Sequence, residues 1–249
     1  MSGSADVRIG TSGYVYPHWR KGVFYPAGLP ARQELAYYAA RFRTVELNNP
    51  FYRLPTPTMF TRWRDSTPEG FDFAVKASRY ITHIKRLRDV SAEIALFLDR
   101  AIELGPKLGP VLFQLPPTQQ IDLPRLREFL TLLTTDHRWV VEFRHQSWFI
   151  GETYQTLAEH GVALCIPVGG SVQPDRVTTA SFTYIRMHRG QEQEGGFTRG
   201  ELKTWAAQVR AVESAGKDVY LYFNNDWKGF AIRDALRLEE LLTAGGVKT

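Results

Sequence analysis

The 249-residue sequence has one cysteine, no long apolar run and no block of like charges. With only Cys165, an intrachain disulfide is excluded, so we expect a reducing compartment such as the cytoplasm. No apolar run approaches the length of a membrane span, and the first residues lack the apolar core of a signal peptide. Neither a membrane protein nor a secreted, disulfide-rich protein is expected.

Several catalytic motifs are also absent. The sequence has no His-Glu-x-x-His, no cysteine cluster and no Gly-x-Ser-x-Gly. The glycines after the first apolar run form neither Gly-x-Gly-x-x-Gly nor a P-loop with Gly-Lys-Ser/Thr. Cys165 lies within an apolar run, which predicts a buried, inert thiol. These absences argue against a zinc protease, a serine esterase and a P-loop nucleotidase.

The composition is that of a globular protein with a cationic excess. Apolar residues make up 43% and charged residues 23%, which does not favour disorder. The net charge is +5, and 23 of the 31 cations are arginines. Arginine matches the geometry of phosphate and carboxylate groups, although arginines spread over a solvated surface are an equally good interpretation.

Short apolar runs alternate with longer helical patterns along the chain. The eight runs predict strands at 7–10, 44–47, 71–75, 111–115, 139–143, 162–166, 182–187 and 219–223. Helices are predicted at 31–42, 58–64, 91–104, 126–133, 152–160, 199–215 and 228–242, whereas 167–179 is expected to be a loop.

This alternation predicts parallel βαβ units and an α/β fold. Eight units in this length favour a single (β/α)₈ TIM-type barrel over residues 1–249, with 1–6 as a flexible tail. An open, doubly wound sheet is the alternative. Ser91 is expected to cap the third predicted helix, and Gly161 and Gly216 to end helices in the left-handed conformation.

Polar side chains cluster where the predicted strands end. In a TIM-type barrel the carboxyl ends of the strands form the rim that carries the chemistry. Residues two apart share a face of a strand, so Glu142 and Arg144 point together into the barrel mouth, as do Arg186 and His188. The residues expected at this rim are Glu46, Lys76, Gln114, Glu142, Arg144, His145, Arg186, His188, Asn224 and Asp226.

The loops after the strands add further candidates for ligand contact. These are Ser12, Tyr14, Tyr52, His83 and Trp148. Segment 76–88 contributes five cations to the same rim, which could steer a longer polyanion. The alternative is that the rings roof the barrel and the cations face solvent.

The rim residues suggest chemistry on an anion. Lys76, Arg144 and Arg186 would neutralise a phosphate-bearing ligand and stabilise the charge of a phosphoryl-type transition state. Glu46 or Glu142 would act as general base, with His145 or His188 as proton donor. Since buried ions need partners, the charged residues should form one hydrogen-bonded network, and a polar plug that satisfies only itself is the alternative.

A divalent metal is possible but disfavoured. Glu46, Glu142, His145, His188 and Asp226 offer oxygen and imidazole ligands suited to Mn, Mg or Zn. The three cations of the same pocket already supply positive charge, so no metal and no cofactor are assigned.

The loop sequences also resemble a known family almost throughout the chain. The matching motifs are Gly10-Thr11-Ser12-Gly13-Tyr14, His18-Trp19, Phe24-Tyr25-Pro26, Val45-Glu46-Leu47-Asn48, Phe51-Tyr52-Arg53-Leu54-Pro55, Phe73-Ala74-Val75-Lys76-Ala77, Ile81-Thr82-His83, Phe113-Gln114-Leu115-Pro116-Pro117, Val141-Glu142-Phe143-Arg144-His145, Ser147-Trp148 and Tyr222-Phe223-Asn224-Asn225-Asp226. In this order they resemble the YecE-like domain-of-unknown-function family. The resemblance implies a TIM-type barrel and no established activity. Pro50, Gln146 and Arg189 depart from the family pattern.

Three functions are compatible with these residues. The leading one is an enzyme-like site for a phosphate-bearing ligand, either a small anion or nucleic acid, with hydrolysis as the favoured reaction. The second is a non-catalytic nucleic-acid-binding protein. The third is a carbohydrate hydrolase that uses Glu46 and Glu142 as its carboxylate pair, with the aromatic loops binding sugar.

Overall fold

The computed structural model describes residues 5–247, and across them eight parallel strands form a nearly closed barrel. The sheet order is β1-β8-β7-β6-β5-β4-β3-β2. The strands are β1 (Val7–Thr11), β2 (Thr44–Leu47), β3 (Asp72–Lys76), β4 (Leu108–Gln114), β5 (Trp139–Glu142), β6 (Ala163–Val168), β7 (Phe182–Met187) and β8 (Asp218–Phe223). Each overlaps a predicted strand, and the TIM-type barrel is confirmed.

Helices follow most strands and cover the outside of the barrel. They are α1 (Glu34–Ala39), α2 (Asn49–Tyr52), α3 (Pro57–Asp65), α4 (Ser91–Ala101), α5 (Leu123–Leu130), α6 (Gly151–Glu159), α7 (Arg199–Ser214) and α8 (Phe230–Thr243). The predicted loop 167–179 begins two residues later, because Pro167 and Val168 still belong to β6, and residues 169–179 contain no helix. Within residues 5–247, no helix has both the length and the apolar character needed to cross a membrane.

The barrel closes between β1 and β2. β1 pairs with β8 over its whole length, whereas β1 and β2 are joined by a single parallel bridge between Ser12 and Glu46. Gly10 allows the close approach of these two strands, because a Cβ atom there would lie 2.3 Å from the carbonyl oxygen of Thr44. The bridge brings the loop after β1 against one of the candidate catalytic carboxylates.

Alternation along the strands separates two apolar layers. Outward-facing side chains such as Val45, Val141 and Ile185 pack beneath the helices. Inward-facing side chains fill the barrel itself: Ala74, Leu112, Val140, Ala163, Cys165, Phe182, Tyr184, Tyr220 and Tyr222. Burial raises the pKa of the Cys165 thiol, in keeping with the inert thiol expected there. The polar residues that follow on the same inward face therefore lie above this interior layer.

Several element ends match their sequence signals, and one does not. Gly161 and Gly216 have positive φ angles of 64° and 75° just after α6 and α7, as predicted. The expected Ser91 cap is wrong: Val90 precedes α4 without a side-chain cap, and Ser91 is already helical. Residues 1–4 of the expected tail lie outside the described part of the chain. Asp6 is held against the barrel, because its amide donates to Asp218 Oδ1 at 2.8 Å.

Candidate functional site

Arg186 lies at the centre of the barrel mouth, between two buried carboxylates. It comes from β7, and its neighbours Ile185 and Met187 pack outward, so its side chain points into the barrel. Its Nη2 and Nε atoms donate to Glu46 Oε1 and Oε2 at 2.7 and 3.0 Å, and its Nη1 donates to Glu142 Oε2 at 2.8 Å. The Tyr184 hydroxyl adds a bond to Glu46 Oε2 at 2.6 Å.

Both carboxylates are held in the ionised state. Burial raises the pKa of Glu46, but the charge and hydrogen bonds of Arg186 and the Tyr184 hydroxyl more than offset this, and the net pKa is lowered. For Glu142 burial again raises the pKa, while Arg186, His188 and Arg144 bring it well below the ordinary value. Arg186 itself is 2% exposed, and all three nitrogens of its guanidinium are engaged.

A second arginine and a histidine extend the network toward solvent. Arg144 Nη1 donates to Glu142 Oε1 at 2.7 Å and lies 3.3 Å from His188 Nε2. His188 Nε2 is also 3.6 Å from Glu142 Oε1. The other ring nitrogen, His188 Nδ1, is 3.1 Å from Asn224 Nδ2. Arg144 and His188 are partly exposed, so this end of the network is accessible to a ligand.

Lys76 lies beside the network without belonging to it. Its Nζ donates to Gln114 Oε1 at 2.9 Å and lies 3.9 Å from the centre of the Phe51 ring. Burial and the positive charge of Arg186 lower the pKa of Lys76 to about 8, although Glu46 and Glu142 oppose this shift. Among residues 5–247, no carboxylate lies within ion-pair distance of this ammonium group.

Aromatic and polar residues of neighbouring loops line the same opening. The His83 ring is 5.1 Å from the Phe51 ring, and burial together with Lys76 lowers the pKa of His83. On the other side, the Tyr16 hydroxyl donates to the Ser12 carbonyl at 2.5 Å. The Ser12 hydroxyl is buried and has no hydrogen-bond partner in the part of the chain that the structure describes.

Asp226, on the loop after β8, binds two residues of the loop after β1. Its Oδ1 accepts from Trp19 Nε1 at 2.6 Å, and its Oδ2 lies 2.9 Å from His18 Nε2. Burial raises the pKa of Asp226, while Trp19 and His18 counteract this shift. Tyr16 connects these residues with the mouth. Its ring is 5.6 Å from His18, and its hydroxyl donates to the carbonyl of Ser12, which pairs with Glu46.

Comparison with known proteins identifies the family. A family model described as "Protein of unknown function DUF72" matches residues 8–248. The chain belongs to the DUF72 family. It is 36% identical to the UPF0759 protein YecE of Escherichia coli (strain K12) over 143 residues, which are 57% of this chain and 52% of YecE. The match thus covers about half of YecE. The UPF0759 protein YunF of Bacillus subtilis (strain 168) is 29% identical over 253 residues, covering 88% of this chain and 89% of YunF.

Solved DUF72 structures share this barrel. A DUF72 family protein from Thermotoga maritima MSB8 superposes with a TM-score of 0.81 at 31% identity, covering 96% of this chain and 99% of the other. A DUF72 family protein from Enterococcus faecalis V583 gives a TM-score of 0.80 at 20% identity, with 95% of each chain covered. The second likeness shows the fold alone.

In addition to Asp226, three predicted site residues of this DUF72 chain lie away from the network. Trp148 is buried against Phe143, with ring centres 4.4 Å apart, and its Nε1 donates to the Gln119 carbonyl. The His145 Nδ1 atom accepts from the Ser147 amide at 3.2 Å and so caps a short helical turn. The Tyr14 hydroxyl accepts from Trp63 Nε1 at 3.0 Å, which directs it toward α3.

The basic segment 79–88 lies over the β3 end of the barrel and includes a helical turn, Tyr80–Ile84. Lys85 is bound to Glu93 at 2.8 Å, so its charge is compensated. Within the described residues, Arg79, Arg86 and Arg88 have no carboxylate within ion-pair distance. Among residues 5–247, no three His, Cys, Asp or Glu side chains form a group that could hold a metal ion.

Sequence reasoning missed several residues of this site. Tyr184 is two positions before Arg186, so the alternation of β7 already places it on the inward face. His18 follows β1, but nothing in the sequence indicates its partner Asp226, which is more than 200 residues away. Phe51 stacks on Lys76 because α2, a helix of four residues, turns it inward, and so short a helix leaves no periodic pattern.

Proposed function

We propose that the barrel mouth binds a phosphate-bearing anion. The observation that carries this proposal is Lys76, a cation only 8% exposed that has one hydrogen-bond acceptor and no carboxylate partner among residues 5–247. An ammonium group has three donors, and a buried charge requires a counter-charge. An anionic oxygen at Lys76 would satisfy both requirements.

The charges of the mouth support an anionic ligand. Lys76, Arg144 and Arg186 outnumber Glu46 and Glu142 by one positive charge, and both carboxylates stay ionised. Because Arg186 is fully engaged by the carboxylates, ligand contact falls to Lys76 and Arg144. Arg186 would then hold the two glutamates rather than the ligand.

Two uncharged groups fit the same ligand. The buried Ser12 hydroxyl has no partner in the described chain and is bridged through its backbone to Glu46. Asn224 lies beside His188 at the other edge of the mouth. Both offer hydrogen-bond donors, which is the kind of group that fixes the orientation of a phosphate.

Calorimetric titration with inorganic phosphate tests the proposal. The parent protein should bind phosphate, and Lys76→Met should weaken binding at least tenfold, since one buried charge-assisted contact is worth about 1.5–3 kcal/mol. Lys203→Met, an exposed lysine on α7, is the matched control and should leave the affinity unchanged. Equal affinity in Lys76→Met and the parent protein would show that the anion binds elsewhere.

Hydrolysis of a phosphate ester is the chemistry that suits this arrangement. Water would form the new bond to phosphorus while the ester oxygen leaves, and Lys76 and Arg144 would stabilise the charge on the equatorial oxygens. His188, in contact with Arg144 and close to Glu142, is the group best placed to take the proton from the attacking water and give it to the leaving ester oxygen. Glu142 would orient and charge-stabilise this imidazole, because arginines already occupy both of its oxygens.

Turnover of p-nitrophenyl phosphate and bis(p-nitrophenyl) phosphate tests the catalytic step. His188→Gln and Glu142→Gln should lower kcat about 100-fold or more, with a smaller change in KM. His137→Gln, on the loop before β5, is the control and should retain activity. Full activity in His188→Gln would remove this histidine from the mechanism.

The carbohydrate-hydrolase interpretation has less support. Such enzymes need one carboxylic acid that stays protonated beside one carboxylate. Here Glu46 and Glu142 share one guanidinium, and the pKa of each is lowered.

Binding of nucleic acid without catalysis is the second candidate. Among residues 5–247, Arg79, Arg86 and Arg88 have no carboxylate within ion-pair distance. They favour this candidate, since they lie over the same rim as the mouth. It predicts single-strand binding that weakens steeply with salt and that survives loss of both mouth glutamates. Replacing the three arginines by glutamine without any loss of binding would contradict it.

A further inference from the structure

A groove with a volume of ≈ 660 Å³ opens along α2 and α3. Its wall includes Asn49, Tyr52, Arg53, Met59 and Trp63. Tyr52 is 73% exposed and Met59 39% exposed, whereas Trp63 is buried and forms the floor. The groove therefore presents an aromatic ring and a thioether to solvent, next to an amide and a guanidinium.

Two arginines, Arg53 and Arg100, line the groove together with its exposed ring. Arg53 is exposed and has no carboxylate within ion-pair distance in the described part of the chain. Arg100 closes the far end, where its Nη1 donates to the Pro55 carbonyl at 3.1 Å. A pocket of this size with apolar walls and a few convergent polar groups is typical of a small-molecule site.

One ring separates the groove from the buried lysine of the mouth. Tyr52 and Phe51 are adjacent in α2, with ring centres 5.0 Å apart in an edge-to-face arrangement. The Lys76 ammonium lies 3.9 Å from the centre of the same Phe51 ring. If the anionic group of a ligand binds Lys76, the adjoining part of the ligand would therefore contact Tyr52.

We propose that the Tyr52 groove is a subsite for the base of a nucleotide whose phosphate binds at Lys76. The planar base would stack on the exposed Tyr52 ring and contact Met59, while Asn49 offers an amide to the base edge. Arg53 would attract the charged ligand, or hold the next phosphate of a single strand. This inference rests on the proposed phosphate site and names the substrate class of that site.

The test compares ligands that differ only in the base. Dissociation constants are measured by calorimetry, at fixed ionic strength, for ribose 5-phosphate and adenosine 5′-monophosphate. The nucleotide should bind roughly tenfold or more tightly, since stacking on one ring contributes about that factor to affinity. Tyr52→Ala should remove this advantage and leave the affinity for ribose 5-phosphate unchanged.

Two variants make the result specific for the ring. Tyr52→Phe keeps the stacking surface and should bind the nucleotide as the parent protein does. Tyr80→Ala removes another exposed tyrosine, 49% exposed, that does not line the groove, and it should leave the advantage of the nucleotide intact. Since Tyr52 is largely exposed, loss of its ring leaves the barrel core unaltered.

The outcomes separate this inference from the proposed function. Equal affinity for the two ligands, or an advantage that survives in Tyr52→Ala, would overturn the base subsite while the phosphate site stands. Absence of binding by both ligands would overturn the phosphate site and, with it, this inference. A short single-stranded oligothymidine distinguishes the source of the ligand: tighter binding than the mononucleotide identifies nucleic acid, and equal or weaker binding identifies a free nucleotide.

Discussion

Arg186 holds two carboxylates that burial alone would drive to take up protons. Glu46 and Glu142 are each fully buried, and the guanidinium lies between them with bonds of 2.7–3.0 Å. Removing one partner of a buried ion pair is far more damaging than losing an exposed one, since the remaining charge has no solvent to stabilise it. We therefore expect the stability of this rim to depend mainly on Arg186.

Arg186→Met should lower the free energy of unfolding by about 3–5 kcal/mol, because it leaves two facing carboxylates without their cation. Arg144→Met is the matched control. It removes a partly exposed arginine from the same Glu142, and its effect should be smaller, about 1 kcal/mol. Urea unfolding followed by tryptophan fluorescence measures both. An equal loss in the two variants would contradict the central role of Arg186.

Lys76 gives the mouth a pH dependence near neutrality. Burial and Arg186 lower its pKa to about 8, so the amine is protonated below that pH and neutral above it. If the charged form binds the anion, affinity is retained at about pH 7 and falls roughly tenfold by about pH 9. Sulfate is the suitable probe, because its own charge does not change in this range.

The sulfate affinity of Lys76→Met should be weak and independent of pH. Arg144→Met should bind less tightly than the parent protein and still lose affinity as the pH rises. Its fall should come at a higher pH, because the charge of Arg144 contributes to the lowered pKa of Lys76. A flat profile in the parent protein would show that Lys76 does not contact the anion.

At the level of elements, alternation along strands made much of the site predictable. Glu142 and Arg144, and Arg186 and His188, lie on the inward faces because apolar residues between them pack under the helices. What strands do not encode is the short connection after each one. His145, Tyr14 and Trp148 follow strands just as Arg144 and Asn224 do, yet local turns direct them elsewhere.

The closure of the barrel is a second feature that the sequence does not specify. β1 and β2 carry the sequence signals of strands, but no pattern indicates that they meet through one bridge at Ser12 and Glu46. The close approach depends on a glycine whose role becomes visible only with its neighbour, the carbonyl oxygen of Thr44. A glycine within a strand indicates close backbone approach in general, but not to which strand.

Gly10→Ala tests this closure. The added methyl group would lie 2.3 Å from the Thr44 carbonyl oxygen, so β1 and β2 must separate, and we expect a loss of about 1–3 kcal/mol in the free energy of unfolding. Gly151→Ala, at the start of α6 with open space around its Cβ position, should be neutral or slightly stabilising. Thermal unfolding compares the two. Equal stability of Gly10→Ala and the parent protein would mean that the strands are not in tight contact there.

For the whole molecule, the two rims of the barrel differ in how their cations are paired. At the amino ends of the strands, arginines and aspartates pair with one another: Arg138 Nη2 donates to Asp218 Oδ2 at 2.6 Å, and Arg8 lies 2.7 Å from Asp6 and 3.4 Å from Asp72. At the carboxyl ends, Lys76 lacks such a partner among residues 5–247. The proposed phosphate site therefore lies at the rim where a buried cation has no carboxylate partner among residues 5–247.

This difference predicts that stability and binding respond to different rims. Arg138→Met should lower the free energy of unfolding by about 1 kcal/mol or more, since it loses its bonds to Asp218 and Tyr220, and should leave phosphate affinity unchanged. Lys76→Met should do the reverse, weakening phosphate binding while stability is kept or increased, because the variant removes a buried cation that lacks a carboxylate partner. Urea unfolding and calorimetric titration on the same preparations measure both properties. Loss of phosphate affinity in Arg138→Met, at a temperature where the variant is folded, would show that the two rims are coupled through the barrel interior. It would contradict the expectation that stability and binding depend on different rims.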